Sequence, residues 1–157
     1  MGIKSFQGKR VATTKINNEQ ILVSDYMTTK LITFSTEESI EEVIAKLLTN
    51  KISGGPVVNE NNELVGVISE GDCLKQIAES RYYNMPMDNS HTAGKAMASN
   101  VETIDGNMNI FDAANKFLES KRRRFPILKD GKLVGQISQK DILRAALALK
   151  GNTWKEI

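Results

Sequence analysis

Residues that build metal centres and nucleophilic sites are scarce in this 157-residue chain, which has one cysteine, Cys73, and one histidine, His91. A single cysteine excludes an internal disulfide and argues against most cysteine-based metal sites. A single histidine leaves little material for a catalytic triad or a zinc cluster. We therefore expect a protein that is not an enzyme, with no catalytic residues, no metal site and no required cofactor.

Long apolar runs and an excess of charge are also missing. No stretch approaches the ~20 apolar residues of a membrane span, and no signal peptide heads the chain. The 21 basic and 19 acidic residues give a net charge of +2, so charge alone predicts no nucleic-acid binding. An apolar fraction of 40% is ordinary for a globular protein. We expect a cytoplasmic protein with no membrane partner.

What the chain does contain is an internal repeat. Each copy has a proline before two aliphatic residues, Pro56-Val57-Val58 and Pro126-Ile127-Leu128. After a polar turn, each copy continues with Leu-Val-Gly-x-Ile-Ser-x-x-Asp, at 64–72 and 133–141. The copies are 70 positions apart before the turn and 69 after it, so the second loop is one residue shorter.

Each copy begins with a short predicted strand, at 31–34 in the first and 101–104 in the second. A segment with helical periodicity follows each strand. Apolar residues at i, i+3, i+4, i+7 and i+8 predict one amphipathic helix per copy: Ile40, Val43, Ile44, Leu47 and Leu48, then Ile110, Ala113, Ala114, Phe117 and Leu118. Ser35 and Glu38 form a capping-box pattern for the first helix, and Asp105 is the expected cap of the second. Two glycines and a proline at 53–56 should stop the first helix.

A polar hairpin and a second helix complete each copy, which therefore reads β-α-β-β-α. Asp130-Gly131 suits a two-residue hairpin turn because both positions accept positive φ. The crossover helix makes the first strand pair parallel, and the hairpin makes the next pair antiparallel. The predicted fold class is mixed α/β: two pseudo-symmetric repeats, each a small three-stranded mixed sheet with two helices.

The predicted organisation has an extension at 1–22, repeats at 23–80 and 93–150, a linker at 81–92 and a tail at 151–157. Because a sheet of three short strands leaves apolar surface uncovered, the two copies should pack together.

These paired motifs resemble the tandem cystathionine-β-synthase (CBS) domain, or Bateman module, over about residues 23–149. The residues that carry the resemblance are the openings Tyr26-Met27 and Ala96-Met97, the proline-aliphatic strands and the two Ser-x-x-Asp endings. The resemblance implies a stand-alone regulatory CBS pair that binds AMP, ADP, ATP or S-adenosylmethionine in clefts between the copies. It also implies a homodimer that modulates a partner protein as yet unknown.

The resemblance further implies which residues hold the ligand. The Asp of each Ser-x-x-Asp motif would hold the ribose hydroxyls, and the Ser would contact ribose or phosphate. One cleft would combine Ser138 and Asp141, and Gln136 near the adenine, with residues of the opposite copy: Ile32, Ile52, Ser53 and Gly54. The other cleft would combine Ser69, Asp72 and Val67 with Glu102, Arg122 and Arg123.

Basic residues make the two clefts unequal. Arg123 and Arg124 occupy the place before the proline-aliphatic strand where the family often keeps a phosphate contact, and Ser53 and Gly54 stand there in the first copy. Lys140 could add a further contact, and its counterpart is a glycine. We therefore expect phosphorylated ligands at the Asp141 cleft. A carboxylate accepts charge-assisted bonds from a diol, helix N-termini favour phosphate, and arginine pairs with it through two parallel bonds.

Structural interpretations remain open beside this one. Ser-x-x-Asp at a helix start is also a capping arrangement. The basic run at 121–124 also suits a solvated helix end, where cations interact favourably with the helix dipole. The alternative function is a structural or dimerisation module with vestigial clefts, whereas no nucleophile–base pair supports an enzyme.

Overall fold

The computed structural model describes residues 20–82 and 91–150 of the chain. Nearly all of the predicted extension, most of the predicted linker and the whole predicted tail lie outside these ranges. In the part described, no helix has both the length and the apolar character to cross a membrane.

The predicted order of elements occurs twice, each time after a four-residue helix. The elements are α1 (Val23–Tyr26), β1 (Phe34–Ser35), α2 (Ile40–Asn50), β2 (Gly54–Val58), β3 (Leu64–Ser69), α3 (Glu70–Tyr82), α4 (Ala93–Ala96), β4 (Ile104–Asp105), α5 (Ile110–Ser120), β5 (Arg124–Lys129), β6 (Lys132–Ser138) and α6 (Gln139–Lys150). The mixed fold class with two β-α-β-β-α repeats is thereby confirmed.

Two three-stranded sheets form, in the orders β1-β2-β3 and β4-β5-β6. In the first, β1 is parallel to β2, with Phe34 opposite Val57, and β2 is antiparallel to β3, with Pro56 opposite Val67. The predicted strand directions are confirmed there. β1 and β4 are each only two residues long and begin at the last residue of the predicted strands.

The N-caps of α2 and α5 lie four residues beyond the predicted positions. Ser39 Oγ accepts the amide of Glu42 at 3.2 Å, and Asn109 Oδ1 accepts the amide of Phe111 at 2.8 Å. Both residue types are favoured caps because a short side-chain oxygen reaches an amide that lacks a helical partner. The prediction of the cap positions was wrong in both copies.

The predicted caps close turns instead. Ser35 donates its amide to Glu38 Oε1 at 3.1 Å, and Asp105 Oδ1 accepts the amide of Asn107 at 2.8 Å. Short polar side chains satisfy turn amides by the same geometry that caps a helix. The local pattern was therefore ambiguous.

Helix α2 ends at Asn50, before the glycines that were predicted to terminate it. A left-handed residue at the C-cap ends the helix instead. Lys51 adopts a left-handed conformation with φ of 53°, and Lys121 does so after α5 with φ of 57°. Gly54 instead begins strand β2, where a Cβ would stand 2.6 Å from the Ile68 carbonyl oxygen. That glycine permits a close strand approach; the helix has already ended.

The described residues form two compact units that differ from the sequence repeats. We call them the Asp72 unit, residues 29–103 and 126–135, and the Asp141 unit, the described part of 1–28, 104–125 and 136–157. The segment that opens each repeat therefore belongs to the unit that holds the opposite copy's amphipathic helix. The prediction that the two copies pack together stays a prediction.

Backbone hydrogen bonds show this exchange of opening segments. In the Asp72 unit, the amide of Ala93 in α4 donates to the Glu38 carbonyl at 2.8 Å. In the Asp141 unit, the amide of Val23 in α1 donates to the Met108 carbonyl at 2.8 Å. Each short helix thus attaches to the turn before the amphipathic helix of the other copy.

The core of the Asp72 unit lies between its sheet and helices, and consists of Phe34, Ile40, Val43, Leu47, Val57, Ile68, Cys73 and Ala93. Burial raises the pKa of the Cys73 thiol, as expected for a cysteine that packs as a small apolar residue.

The fifth position of each predicted apolar stripe is exposed. Leu48 is 71% and Leu118 80% accessible. An α-helix turns by about 100° per residue, so a residue eight positions further along lies about 80° around the helix axis from the first. The fifth position therefore lies at the margin of the buried face. The buried face of each amphipathic helix is therefore narrower than its apolar stripe.

Both hairpin loops meet within the Asp72 unit. Asp130 and Gly131 have φ of 52° and 79°, which confirms the predicted two-residue turn. Lys132 Nζ donates to the Asn61 carbonyl at 2.6 Å, and Asn62 Nδ2 donates to the Leu133 carbonyl at 3.1 Å. These bonds join residues 71 positions apart.

Candidate functional site

The Ser-x-x-Asp motif of the second copy forms a capping box at the start of α6. The amide and hydroxyl of Ser138 both donate to Asp141 Oδ2, at 2.8 and 3.0 Å. The Asp141 amide donates in turn to Ser138 Oγ at 3.3 Å. A spacing of three residues brings the carboxylate back over the helix start, which is why the motif caps the helix. The capping interpretation is confirmed.

The first copy repeats this geometry at the start of α3. Asp72 Oδ2 accepts the amide and the hydroxyl of Ser69, each at 2.9 Å. The Asp72 amide donates to Ser69 Oγ at 3.3 Å. Both carboxylates are therefore held in a set orientation before any ligand arrives, and one oxygen of each is fully engaged.

The second carboxylate oxygen distinguishes the two motifs. Asp141 Oδ1 accepts from Arg144 Nη1 at 2.8 Å, and its side chain is only 7% exposed. Among the described residues no donor reaches Asp72 Oδ1, and Lys75, which matches Arg144 by sequence, forms no comparable ion pair. The Asp72 carboxylate is thus the more available of the two.

The strand residues two positions before each motif have their backbones occupied. The Val67 amide donates to the Ala98 carbonyl at 2.9 Å, and the Gln136 amide donates to the Thr28 carbonyl at 3.0 Å. Only the side chains at these positions remain for recognition. Gln136 Oε1 is buried, and no donor within the part of the chain that the structure describes reaches it. A buried acceptor without a donor is costly in a folded protein.

The Asp72 unit holds the predicted first-copy residues Val67, Ile32, Ile52, Ser53 and Gly54, and also Glu102 of the second copy. Ser53 and Gly54 lie beside the Ser69 motif, because Gly54 is opposite Ser69 in the sheet and the Ser53 carbonyl accepts the Glu70 amide at 2.9 Å. Their predicted association with Asp141 stays a prediction.

The predicted basic residues Arg122, Arg123, Arg124 and Lys140 lie in the Asp141 unit. Gln139 Nε2 donates to the Arg122 carbonyl at 3.4 Å, which connects the basic run to the start of α6. Arg123 and Lys140 are exposed. The predicted association of Arg122 and Arg123 with Asp72 stays a prediction.

The chemistry available at each motif is that of a helix N-terminus beside an ionised carboxylate. Such a terminus offers amides and a positive dipole end to an anion. In residues 20–82 and 91–150, no group of three or more His, Cys, Asp or Glu side chains is arranged to hold a metal ion.

Sequence reasoning missed Arg144. A signal was present, because an Arg three residues after an Asp on one helix lies on the same face.

Comparison with known proteins identifies the class. A family model for the CBS domain matches residues 23–79 and 93–148. The chain therefore belongs to the CBS-domain family and carries two CBS repeats.

Its relatives include two chloroplastic proteins of Arabidopsis thaliana. CBSX1 is 31% identical over 153 residues, covering 82% of this chain and 65% of CBSX1. CBSX2 is 30% identical over 156 residues, with coverage of 83% and 66%. The uncharacterised protein MJ1225 of Methanocaldococcus jannaschii is 28% identical over 132 residues, with coverage of 84% and 44%. The chain thus spans about half to two thirds of these relatives.

Solved structures show the same fold. The crystal structure of CBSX2 in complex with AMP is 32% identical, has a TM-score of 0.73 and is matched over 82% of this chain and 98% of that one. The CBS domain pair of MJ0100, in complex with 5′-methylthioadenosine and S-adenosyl-L-methionine, is 27% identical with a TM-score of 0.68. That match covers 83% of this chain and 98% of MJ0100's.

Proposed function

We propose that this protein is a regulatory module that senses adenosine-containing ligands through its Ser-x-x-Asp motifs. The observation that carries the proposal is the pair of carboxylates, Asp72 and Asp141, each oriented by a serine at a helix start. The ligand class comprises AMP, ADP, ATP and S-adenosylmethionine. Binding would modulate a partner protein.

Ribose recognition follows from hydrogen-bond chemistry. A ribose offers two neighbouring hydroxyl donors, and an ionised carboxylate is an acceptor with about four lone-pair sites. Hydrogen bonds to a charged group contribute about 1.5–3 kcal/mol each. Asp72 keeps Oδ1 available among the described residues, which supports a diol site there.

Phosphate recognition favours the Asp141 motif. Lys140 is the second residue of α6 and is exposed, as is Arg123, whereas Gly71 fills the place of Lys140 in α3. Cations near a helix N-terminus add to the attraction of its amides for phosphate. We therefore assign phosphorylated ligands to the Asp141 motif.

Adenine recognition is proposed for Gln136. Its buried Oε1 lacks a donor among the described residues, and the exocyclic amino group of adenine is a donor. Pairing the two would remove the penalty of an unsatisfied acceptor. Val67, at the same place in the first copy, has no such group.

The relatives lend support to this ligand class. The two solved relatives hold AMP in one case and 5′-methylthioadenosine with S-adenosyl-L-methionine in the other. All three molecules contain an adenosine moiety, whose ribose and adenine are the groups that the motifs above can bind. Cytoplasmic location stays a prediction, and two of the relatives named above are chloroplastic.

A second candidate function is a structural module that assembles through its helices. Large apolar side chains are exposed on helices of both units: Leu48, Leu74, Ile77, Phe111, Leu118, Leu143 and Leu147. A second copy of the chain could cover such residues, and homodimers commonly pair through apolar patches. We propose a homodimer in either case.

Ligand titration separates the two candidates. Isothermal titration and thermal melting should be run with AMP, ATP, NAD and S-adenosylmethionine on the parent, Asp72→Ala, Asp141→Ala and the double variant. Ligand at a hundred times its dissociation constant should stabilise the parent by about 2.7 kcal/mol. Each single variant should lose one site, and the double variant should lose all binding.

Because each Asp also caps a helix, its removal lowers stability by about 1 kcal/mol. Ser39→Ala is the matched control: it removes a cap from α2, should destabilise by a similar amount, and should leave binding intact. If no ligand shifts the parent and the Asp variants only lose stability, the motifs are caps and the structural module is the function.

A further inference from the structure

We propose that Arg144 competes with the ligand's ribose for the Asp141 carboxylate, so that it sets the affinity of one motif and leaves the other unaffected. This inference rests on the proposed function. It assigns a specificity-determining role to a residue that neither Ser-x-x-Asp motif includes.

The lone pairs of Asp141 carry the inference. Oδ2 already accepts two hydrogen bonds from Ser138, at 2.8 and 3.0 Å, which fills its two lone-pair sites. Oδ1 accepts one from Arg144 at 2.8 Å. One site is left for a ligand, whereas the two hydroxyls of a ribose need two.

The first copy lacks this obstacle. Asp72 Oδ2 is likewise filled by Ser69, but no donor among the described residues reaches Oδ1, so both of its sites are available. The matching residue, Lys75, is exposed and holds no carboxylate within the described part of the chain. A ribose diol can therefore bind Asp72 with both hydroxyls and must displace Arg144 to do so at Asp141.

Displacement of Arg144 is feasible because its side chain is 67% exposed, whereas that of Asp141 is 7% exposed. The guanidinium can move into solvent while the carboxylate stays in place. Pairs with one partner this exposed are weak, so the competition should lower affinity about two- to fivefold. The unliganded protein thus holds the Asp141 motif partly closed.

The test isolates each motif and uses adenosine as the probe. In an Asp72→Ala background, Arg144→Gln should bind adenosine about two- to fivefold more tightly, and Arg144→Lys should fall between it and the parent. Adenosine is uncharged, so the lost cation has no long-range effect on the titration. Because salt screens an exposed ion pair, the difference should shrink as ionic strength rises.

Two controls are matched to this experiment. Arg144→Gln in an Asp141→Ala background, where only the Asp72 motif remains, should leave adenosine affinity unchanged. Lys75→Gln in the same background should also change nothing. Melting temperatures verify that every variant is folded, and Asp72→Asn, which keeps a helix cap, replaces Asp72→Ala if the alanine variant unfolds.

If Arg144→Gln leaves adenosine affinity unchanged in the Asp72→Ala background, the inference is overturned. Weaker affinity also overturns it, because Arg144 would then hold the carboxylate in its binding position. If adenosine, AMP, ADP, ATP and S-adenosylmethionine all fail to bind the parent itself, the proposed function fails, and that result is distinct from a parent that binds with no effect of Arg144→Gln.

Discussion

Thr28 and Gln136 exchange two backbone hydrogen bonds, the Thr28 amide to the Gln136 carbonyl at 2.8 Å and the Gln136 amide to the Thr28 carbonyl at 3.0 Å. Val67 and Ala98 make the same exchange, at 2.9 Å in each direction. Gln136 lies in β6 and Val67 in β3, and each pair occupies the backbone amide and carbonyl of that residue. Backbone groups that are already paired cannot form a β-bridge with another chain. At Gln136 and Val67 only the side chains keep hydrogen-bonding or packing groups outside these backbone pairs, and the two side chains differ.

Replacing Gln136 should separate ligand binding from stability. Gln136→Leu removes the buried acceptor proposed to meet adenine, so AMP affinity should fall about two- to tenfold. Stability should stay the same or rise, because no described donor loses its partner. Calorimetric titration and urea unfolding measure the two effects, with Val67→Leu as the control that leaves AMP affinity at the Asp141 motif unchanged. A destabilised variant with unaltered AMP binding would contradict the prediction.

The left-handed residue after helix α2 offers a route to higher stability. Lys51→Gly relieves a conformation that is unfavourable by about 1–2 kcal/mol for a residue with a Cβ. Glycine also makes the unfolded chain more flexible, which offsets about 0.4–1 kcal/mol. We expect a net gain of about 0.5–1 kcal/mol in urea denaturation.

The control for Lys51→Gly is Thr49→Gly, inside the same helix, which should lower stability. Lys121→Gly should reproduce the gain after α5, since its φ of 57° is nearly the same. A loss of stability in both lysine variants would show that these side chains make contacts that outweigh the strain.

A methyl group at Gly66 should disrupt the packing of β3 against the segment after α4. The new Cβ would collide with Met97 Sδ and would stand 2.9 Å from the Ala98 carbonyl oxygen. We expect Gly66→Ala to lower the free energy of unfolding by about 1–3 kcal/mol.

Gly71→Ala is the control for Gly66→Ala, because the nearest atom to its Cβ is Ser69 Oγ at 3.6 Å and the residue lies in a helix. That variant should be as stable as the parent or more stable by about 0.5–1 kcal/mol. Equal behaviour of the two alanine variants in urea unfolding would disprove the close approach.

The contact between the hairpin loops should give a pH-dependent stability. A hydrogen bond from Asn59, and then the charge of Lys132, lower the pKa of Glu63. A carboxyl with a lowered folded-state pKa stabilises the fold above its unfolded pKa of about 4.3, and this contribution disappears as pH falls through the folded-state value. The stability difference between the parent and Glu63→Gln should therefore be present at pH 7 and should diminish as pH falls below about 4.3.

Glu60→Gln removes a charge from the same loop and serves as the control for Glu63→Gln. Its difference from the parent should depend less on pH. A Glu63→Gln difference that is constant from pH 7 to pH 3 would mean that the ionised carboxylate contributes nothing to the fold.

Local rules were sufficient for much of this structure. The Asp130-Gly131 turn, the strand directions of the first sheet and the order of elements depend on residues that are neighbours in sequence. The Ser-x-x-Asp motifs also formed as local patterns require, because a serine and an aspartate three residues apart meet at any helix start.

The helix caps show where local rules end. Ser35 and Ser39 both satisfy capping patterns, and the choice depends on a distant residue, because the Ile40 amide donates to the His91 carbonyl at 3.0 Å. The Ile110 amide donates in the same way to the Ile21 carbonyl at 2.9 Å. These acceptors come from the segments before α4 and α1, so each helix begins where the opposite copy supplies its partner.

The amino-acid sequence alone determined the repeat, the mixed fold and the family, because each depends on patterns of spacing that local conformation preserves. Tertiary structure alone decided that the opening segments exchange between the units. Only the folded chain also showed that Arg144 engages Asp141, whereas no donor from residues 20–82 or 91–150 reaches the second oxygen of Asp72. The physical reason is that the partner of a side chain is set by distances in the folded protein. Two nearly identical Ser-x-x-Asp motifs therefore differ in their carboxylate contacts when the neighbouring cation is Arg144 in one and Lys75 in the other.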